Sequence, residues 1–214
     1  MADLEFECTG AEPDPYAIGP TMNFAVRIAE RTGTAVDAVA LRCQLRIEPH
    51  RRRYGADEAA RMVDLFGERG RWSETVQPMQ LATVSHLVGR FDGVVETTIP
   101  VPFSYDLQIA STRYFSSLDD GEIPLLLLFS GTVFVRGETG FSVEPVPWDK
   151  ELAFRLPVRT WREVMDSYFP GSAWLRLRRE SFDALHRFKG RHALTTWDDA
   201  VDALLKQAGE EAPA

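Results

Sequence analysis

Ile123-Pro124-Leu125-Leu126-Leu127-Leu128-Phe129-Ser130-Gly131-Thr132-Val133-Phe134-Val135 is the most apolar run in the chain, and its reading decides the fold. It is too short for a membrane-spanning helix, which needs about 20 apolar residues, and Ser130, Gly131 and Thr132 interrupt it. A strand buried on both faces fits it better. Just upstream, the stretch from Thr97 to Ala110 puts Phe103, Tyr105, Leu107 and Ile109 on one face and Ser104, Asp106 and Gln108 on the other. That alternation is the pattern of a half-buried strand.

Working outward, alternation recurs at Leu4, Phe6 and Cys8, at Met22, Phe24, Val26 and Ile28, and at Val39, Leu41, Cys43, Leu45 and Ile47. Parallel strands would need helical crossovers and burial on both sides, so these strands with polar outer faces pair antiparallel. Leu81 to Val88, Phe141 to Glu144 and Leu152 to Leu156 add further strands, with Gly137-Glu138-Thr139-Gly140 as a hairpin turn. Between them, Ala59, Met62, Val63 and Phe66 recur at helical spacing behind Asp57 and Glu58, and Gly67 ends the pattern. One inserted helix over 56–66 follows. Beyond Pro157 the period changes for good: Thr160-Trp161-Arg162-Glu163 and Thr196-Trp197-Asp198-Asp199 are capping boxes, and Ser172 can cap a helix that Gly190 stops. The expected fold is α+β. An Ig-like antiparallel β-sandwich of about seven or eight strands fills residues 1–157, with one inserted helix. A C-terminal three-helix appendage over 158–208 packs on it, and 209–214 form a disordered tail.

Composition bounds the function. The 214 residues are 44% hydrophobic and 26% charged, as in ordinary globular chains. Net charge is −8, with Asp3, Glu5, Glu7, Glu12 and Asp14 at one end and Asp198, Asp199, Asp202, Glu210 and Glu211 at the other. Such a surface disfavours nucleic-acid phosphates. Met1-Ala2-Asp3-Leu4-Glu5 lacks the positive start and apolar run of a signal peptide, so a cytoplasmic location is expected; Cys8 and Cys43 fall on inward strand positions, where a free thiol packs as a small hydrophobe, and the sequence leaves open a disulfide between them. His50, His86, His186 and His192 do not fall at metal-ligand spacings. Neither a nucleophile elbow, a phosphate-cradling loop nor a dinucleotide fingerprint occurs, so no metal, no cofactor and no catalysis are expected. The alternative is a small-ligand-binding protein or enzyme, with Asp106, Asp119, Asp149, His86 and Tyr105 lining a cleft.

A local charge contrast points elsewhere. Within residues 171–192, Arg176, Arg178, Arg179, Arg187, Lys189 and Arg191 face only Glu180 and Asp183, so a segment of net charge +4 sits in an acidic chain. A solvated helix face paired with the acidic ends accounts for it, and so does a docking face for an acidic protein partner. Arg51-Arg52-Arg53-Tyr54 is a second basic cluster, and with Trp72 it has the composition of an interface. Arg51, Arg52, Arg53, Tyr54, Trp72, Arg176, Arg179 and Arg187 are the expected partner-binding residues of a non-catalytic adaptor. Trp72 and Trp148 fall in loops, where exposure would favour binding.

Several long strings carry a resemblance: Glu122 to Phe134, Val146-Pro147-Trp148-Asp149, Met165-Asp166-Ser167-Tyr168-Phe169-Pro170 and Thr196-Trp197-Asp198-Asp199-Ala200. In these the chain resembles an uncharacterised, mainly actinobacterial protein family, a domain of unknown function encoded near uptake nickel–iron hydrogenase genes. The resemblance implies an accessory role with hydrogenase subunits or maturation factors as partners, and it carries over no site residue. The lack of clustered cysteine ligands speaks against an electron-carrying cluster.

Overall fold

The computed structural model describes residues 2–103, 108–137, 140–171 and 177–210. In chain order the elements are β1 (Leu4–Pro13), β2 (Thr21–Glu30), β3 (Val36–Ile47), α1 (Ala56–Arg61), α2 (Val63–Phe66), α3 (Trp72–Thr75), β4 (Met79–Val88), β5 (Val94–Pro102), α4 (Gln108–Ser116), β6 (Glu122–Gly137), β7 (Gly140–Pro145), β8 (Glu151–Pro157), α5 (Val158–Tyr168), α6 (Arg179–Arg191) and α7 (Trp197–Ala208). Two antiparallel sheets result, one ordered β1-β2-β5 and the other β4-β3-β6-β7 with β8 also on β6. The α+β sandwich expected from the alternation is therefore present.

The apolar run is the spine of the larger sheet. Along one edge β6 pairs with β3 from Leu125 to Val135. Its other edge is shared, with β8 taking Glu122 to Leu128 and β7 taking Thr132 to Gly137. Leu125, Leu127, Phe129, Val133 and Val135 point into the core. There Phe6 of β1 stacks on Phe129 at 4.1 Å and Phe24 of β2 meets Phe154 of β8 edge-on, so the two sheets face each other. Burying each such side chain contributes about 1.5–3 kcal/mol. On the outer face Pro124 and Leu126 are covered but Ser130 is open. Two-sided burial thus holds only for the first half of the strand.

Gly131 marks the hand-over between the two shared partners. Its φ is +141°, and a Cβ there would lie 2.1 Å from the Ala40 carbonyl oxygen of β3. Val146 N–H donates to the Gly131 carbonyl and Phe129 N–H to that of Lys150, carrying the ladder across the gap between β7 and β8.

Four readings of the sequence are corrected. The strand predicted over Thr97 to Ala110 stops at Pro102, and Gln108–Ser116 is helical; Ser104 to Leu107 lie outside the described residues. Pro100 and Pro102 lack the N–H that a ladder needs, which suits only an edge strand such as β5, while α4 and the turn after it bury Tyr114, Phe115 and Leu118. The inserted helix breaks in two at Met62, whose side chain is fully buried at the break. The helix after Pro157 opens at Val158 rather than at a Thr160 cap, which leaves Thr160 and Trp161 buried within it and Trp161 against Phe115. By contrast, the box at Thr196 forms: Asp199 N–H donates to Thr196 Oγ1 at 3.0 Å and Thr196 N–H to Asp199 Oδ2 at 2.9 Å. Hydrogen bonds from Thr196 hold the Asp199 carboxyl down at about 2. α6 begins at Arg179 and runs past Gly190 to Arg191, and Ser172 lies outside the described residues.

The chain divides into compact units Met1–Gly171 and Ser172–Ala214, where the sequence places the division at 157. The difference is α5, which packs on β1, β2 and β8 and so belongs with the sheets. Both cysteines are free, and burial pushes the thiols up, Cys8 to about 11 and Cys43 to about 12.

Glu30, at the end of β2, is buried and ties down the strand's exit. Its carboxylate accepts from the N–H groups of Asp3, Thr32 and Thr34 and from Thr32 Oγ1. Burial raises its pKa, but these donors outweigh burial and hold it at about 2, against 4.5 for an ordinary glutamate. A depressed pKa stabilises the fold at pH above the unfolded value and loses that contribution as pH falls. Wild-type melting temperature should therefore fall between pH 4.5 and 2 more steeply than that of Glu30→Gln, compared by calorimetry. Gly131→Ala should cost about 3 kcal/mol or more in urea denaturation. Gly89→Ala, with nothing within 4 Å of the added Cβ, should stay within about 0.5 kcal/mol of wild type.

Candidate protein-binding surface

The basic loop after β3 and the first half of the insertion fold onto each other, because a short polar loop must satisfy its own groups. Arg52 donates to Glu58 Oε1 at 2.6 Å, to the Asp120 carbonyl at 2.6 Å and to the Glu122 carbonyl at 2.8 Å. Glu58 accepts in turn from the N–H groups of Gly55 and Asp119. The side chains of Arg52 and Glu58 are 11% and 8% exposed. Tyr54 donates its hydroxyl to the Pro49 carbonyl and meets the hydroxyl of fully buried Tyr114 at 2.8 Å. Burial pushes the Tyr54 phenol up to about 12 and that of Tyr114 further still. Trp72 packs edge-on against Tyr54 and Phe66, its indole N–H donating to the Gly67 carbonyl.

Arg52, Tyr54 and Trp72, expected at a partner, are thus engaged inside their own unit. What looks like an interface composition is a latch between the insertion and the start of β6. Arg51 and Arg53 are exposed, and Arg51 Nε lies 3.8 Å from the buried Glu48 carboxylate. Trp148 is 92% exposed in the loop between β7 and β8, where the indole has the freedom that Trp72 lacks.

The second unit has a different character. Arg179 pairs with Asp183 one turn on, Arg187 is exposed, and Arg176 lies outside the described residues. Phe182, His186 and Trp197 form a ring cluster between α6 and α7, with Lys189 Nζ over the Trp197 ring at 5.6 Å. Trp197 of α7 thus packs against α6. Among the described residues of this unit Ala200 alone is buried, while Leu177, Phe182, Trp197, Val201 and Leu204 are 38–41% exposed. Val201, Leu204 and Leu205 recur at helical spacing as an apolar stripe on α7. The exposure of Val201 and Leu204 was invisible in the sequence, because periodicity identifies an apolar face without saying what covers it.

The carboxylate cleft of the alternative reading is dispersed among the residues described. Asp119 pairs with Arg61 at 2.5 Å, Asp149 is exposed in a loop, and His86 Nε2 meets Thr97 Oγ1 at 2.7 Å. Burial lowers the His86 pKa. Asp106 and Tyr105 lie outside the described residues. No group of three or more His, Cys, Asp or Glu among the described residues is placed to hold a metal ion, and no described helix is long and apolar enough to cross a membrane.

The model of the family of unknown function DUF6084 matches residues 1–213. The chain belongs to this family. No curated protein matches it. Among solved structures it is similar to a protein described as ApaA from Bordetella pertussis, at 15% identity over 73% of this chain and 95% of that one, with a TM-score of 0.27. It is also similar to a β-glucosidase from Kluyveromyces marxianus, at 8% identity over 72% of this chain and 15% of that one, TM-score 0.26. A third is β-glucosidase 3B from Thermotoga neapolitana, at 12% identity over 72% and 17%, TM-score 0.26. Likenesses this low carry neither fold nor function into the DUF6084 family.

The latch and the exposed arginines should separate in mutagenesis. Arg52→Ala strands the buried Glu58 carboxylate and should cost about 3–5 kcal/mol of stability. Arg53→Ala should change stability by less than about 0.5 kcal/mol. Chemical denaturation of the two variants side by side makes the comparison.

Proposed function

We propose that this protein is a non-catalytic adaptor which binds an acidic protein partner through its C-terminal helix pair. One observation carries the reading: α6 and α7 leave Phe182, Trp197, Val201 and Leu204 about two-fifths exposed, and α6 also exposes the cations Arg179, Arg187 and Arg191. Half-exposed aromatics with a cation, Lys189, over the Trp197 ring are the composition of a binding patch, with apolar anchors contributing affinity and exposed charge contributing orientation and on-rate. A helix pair with so little core of its own also gains stability when a partner covers it. Arg51 and Arg53 supply a second cationic contact on the first unit, in place of the wider patch that included Arg52, Tyr54 and Trp72.

The resemblance noted from sequence supplies the partner's class: a hydrogenase subunit or maturation factor, met in the cytoplasm. The test uses full-length chain bearing Phe182→Ser with Trp197→Ser, and separately Arg179→Glu with Arg187→Glu. For variants that melt like wild type, recovery of the co-purifying partner from the native host should fall at least about tenfold. Wild-type recovery should also weaken between about 0.05 and 0.5 M salt, since exposed charges are screened beyond ~10 Å at 0.1 M. Undiminished, salt-insensitive recovery by both variants would overturn the reading.

A further inference from the structure

The edges of the two sheets are not guarded alike. β1 carries Glu5, Glu7 and Glu12, ends in Pro13 and is bulged between Cys8 and Gly10. β5 carries Glu96, Pro100 and Pro102, and β8 carries Glu151, Arg155 and Pro157. β7 is six residues long and ends in Glu144-Pro145. Charge, proline, bulges and shortness are the devices by which sheets keep a second chain from adding to a free edge. β4 has none of them along most of its length. Its ten residues, Met79-Gln80-Leu81-Ala82-Thr83-Val84-Ser85-His86-Leu87-Val88, include no Lys, Arg, Asp, Glu or Pro. The bulge in its pairing lies at Leu45/Arg46, near the Gln80 end, so the ladder from Ala82 to Val88 is regular.

β3 occupies one side of β4, and among the described residues no strand pairs with the other. Every second residue of an antiparallel edge strand turns its N–H and C=O away from its neighbour, leaving a template for another strand. On the outer face Thr83, Ser85 and Leu87 are exposed, Leu87 by 71%. His86, the one titratable side chain on β4, is turned to Thr97 of the facing sheet, and burial disfavours its charge.

We infer that the free edge of β4 pairs antiparallel with the same edge of a second copy, joining the two larger sheets into one continuous sheet. The absence of charge selects this occupant. An isologous contact sets a strand against itself, so any charge on it would meet or neighbour its own like; on β4 there is none to repel. A foreign strand, in turn, would find no charge on β4 to choose it by. A register centred on Ser85 sets Ser85 against Ser85 and Thr83 against Leu87, small polar groups and a methyl-bearing side chain that an exposed pair accommodates. The nearest cation on that face, Arg42 of β3, lies beside Ser85. Its counterpart would be three strand spacings away, about 14 Å, beyond the Debye length at 0.1 M salt.

Sedimentation equilibrium tests the pairing on the full chain at about 100 µM, a concentration suited to a contact of modest area. Wild type should give twice the 24.1 kDa chain mass. Thr83→Lys with Ser85→Lys puts charge on two exposed outward positions and should return the mass to that of a single chain, with an unchanged melt at low concentration. Hydrogen exchange of amides from Ala82 to Val88 should slow as wild-type concentration rises and stay fixed in the lysine variant. Phe182→Ser serves as the control and should leave the dimer intact. A wild-type monomer at this concentration, a dimer that survives the lysine pair, or a dimer lost only with Phe182→Ser would each overturn the inference.

Discussion

One strand with two neighbours on the same edge organises the first unit. β6 is sixteen residues long, and no single partner on its second edge matches that length, so β8 and β7 divide it between them. Such a division needs a point where the chain beside β6 can switch without leaving carbonyls and amides unpaired in a buried sheet. Gly131 is that point. Its left-handed φ and the approach of the Ala40 carbonyl require a residue without Cβ, and its own carbonyl receives Val146 N–H as β7 departs. The aromatic stack of Phe6 on Phe129, two residues earlier, fixes where the opposite sheet lies above the switch. Core, edge pairing and the loop bearing Trp148 therefore share one set of coordinates along β6.

How much of this could be read from residues alone depended on whether a local signal was also the deciding one. The alternation of β1, β2 and β3 decides their class, because a one-residue slip would turn each apolar set to solvent. The Thr196 box likewise contains its own answer, since cap and reciprocal donor are three residues apart. The strand continued past Pro102 was misread because Phe103, Tyr105, Leu107 and Ile109 alternate, whereas the prolines of β5 and the burial of Tyr114, Phe115 and Leu118 decide the outcome from outside that window. Similarly, Thr160 heads a good capping pattern, but Pro157 ends β8 and the helix starts directly at Val158, whose N–H is taken by the Gly121 carbonyl.

The expected site divided along the same line. Sequence can report that Arg52, Tyr54 and Trp72 are near one another and of an interface-forming kind, but not that Glu58, Asp120, Glu122 and Tyr114 will meet them from elsewhere in the chain. A buried guanidinium surrounded by carbonyls and a carboxylate is expensive to expose, so these residues hold the fold together. The cations of α6 face no such converging set among the described residues, and the apolar positions of α7 show their outward face only when the helix pair is seen whole.

The split edge of β6 also has a temporal side. Its partners on that edge lie close behind it in the chain, whereas on the other edge Val36 pairs with Val135 and Ile47 with Leu125. A chain emerging from its N-terminus thus makes β3 long before the strand that covers it, and until β6 appears β3 has only β4, itself reached across the Pro49 to Thr75 insertion. Pairing across so long a separation carries a larger loop-closure cost than the local contacts that join α6 and α7. For as long as that interval lasts, the Arg52–Glu58 latch lacks its two carbonyl acceptors at Asp120 and Glu122, so the insertion can be secured only when the spine itself arrives.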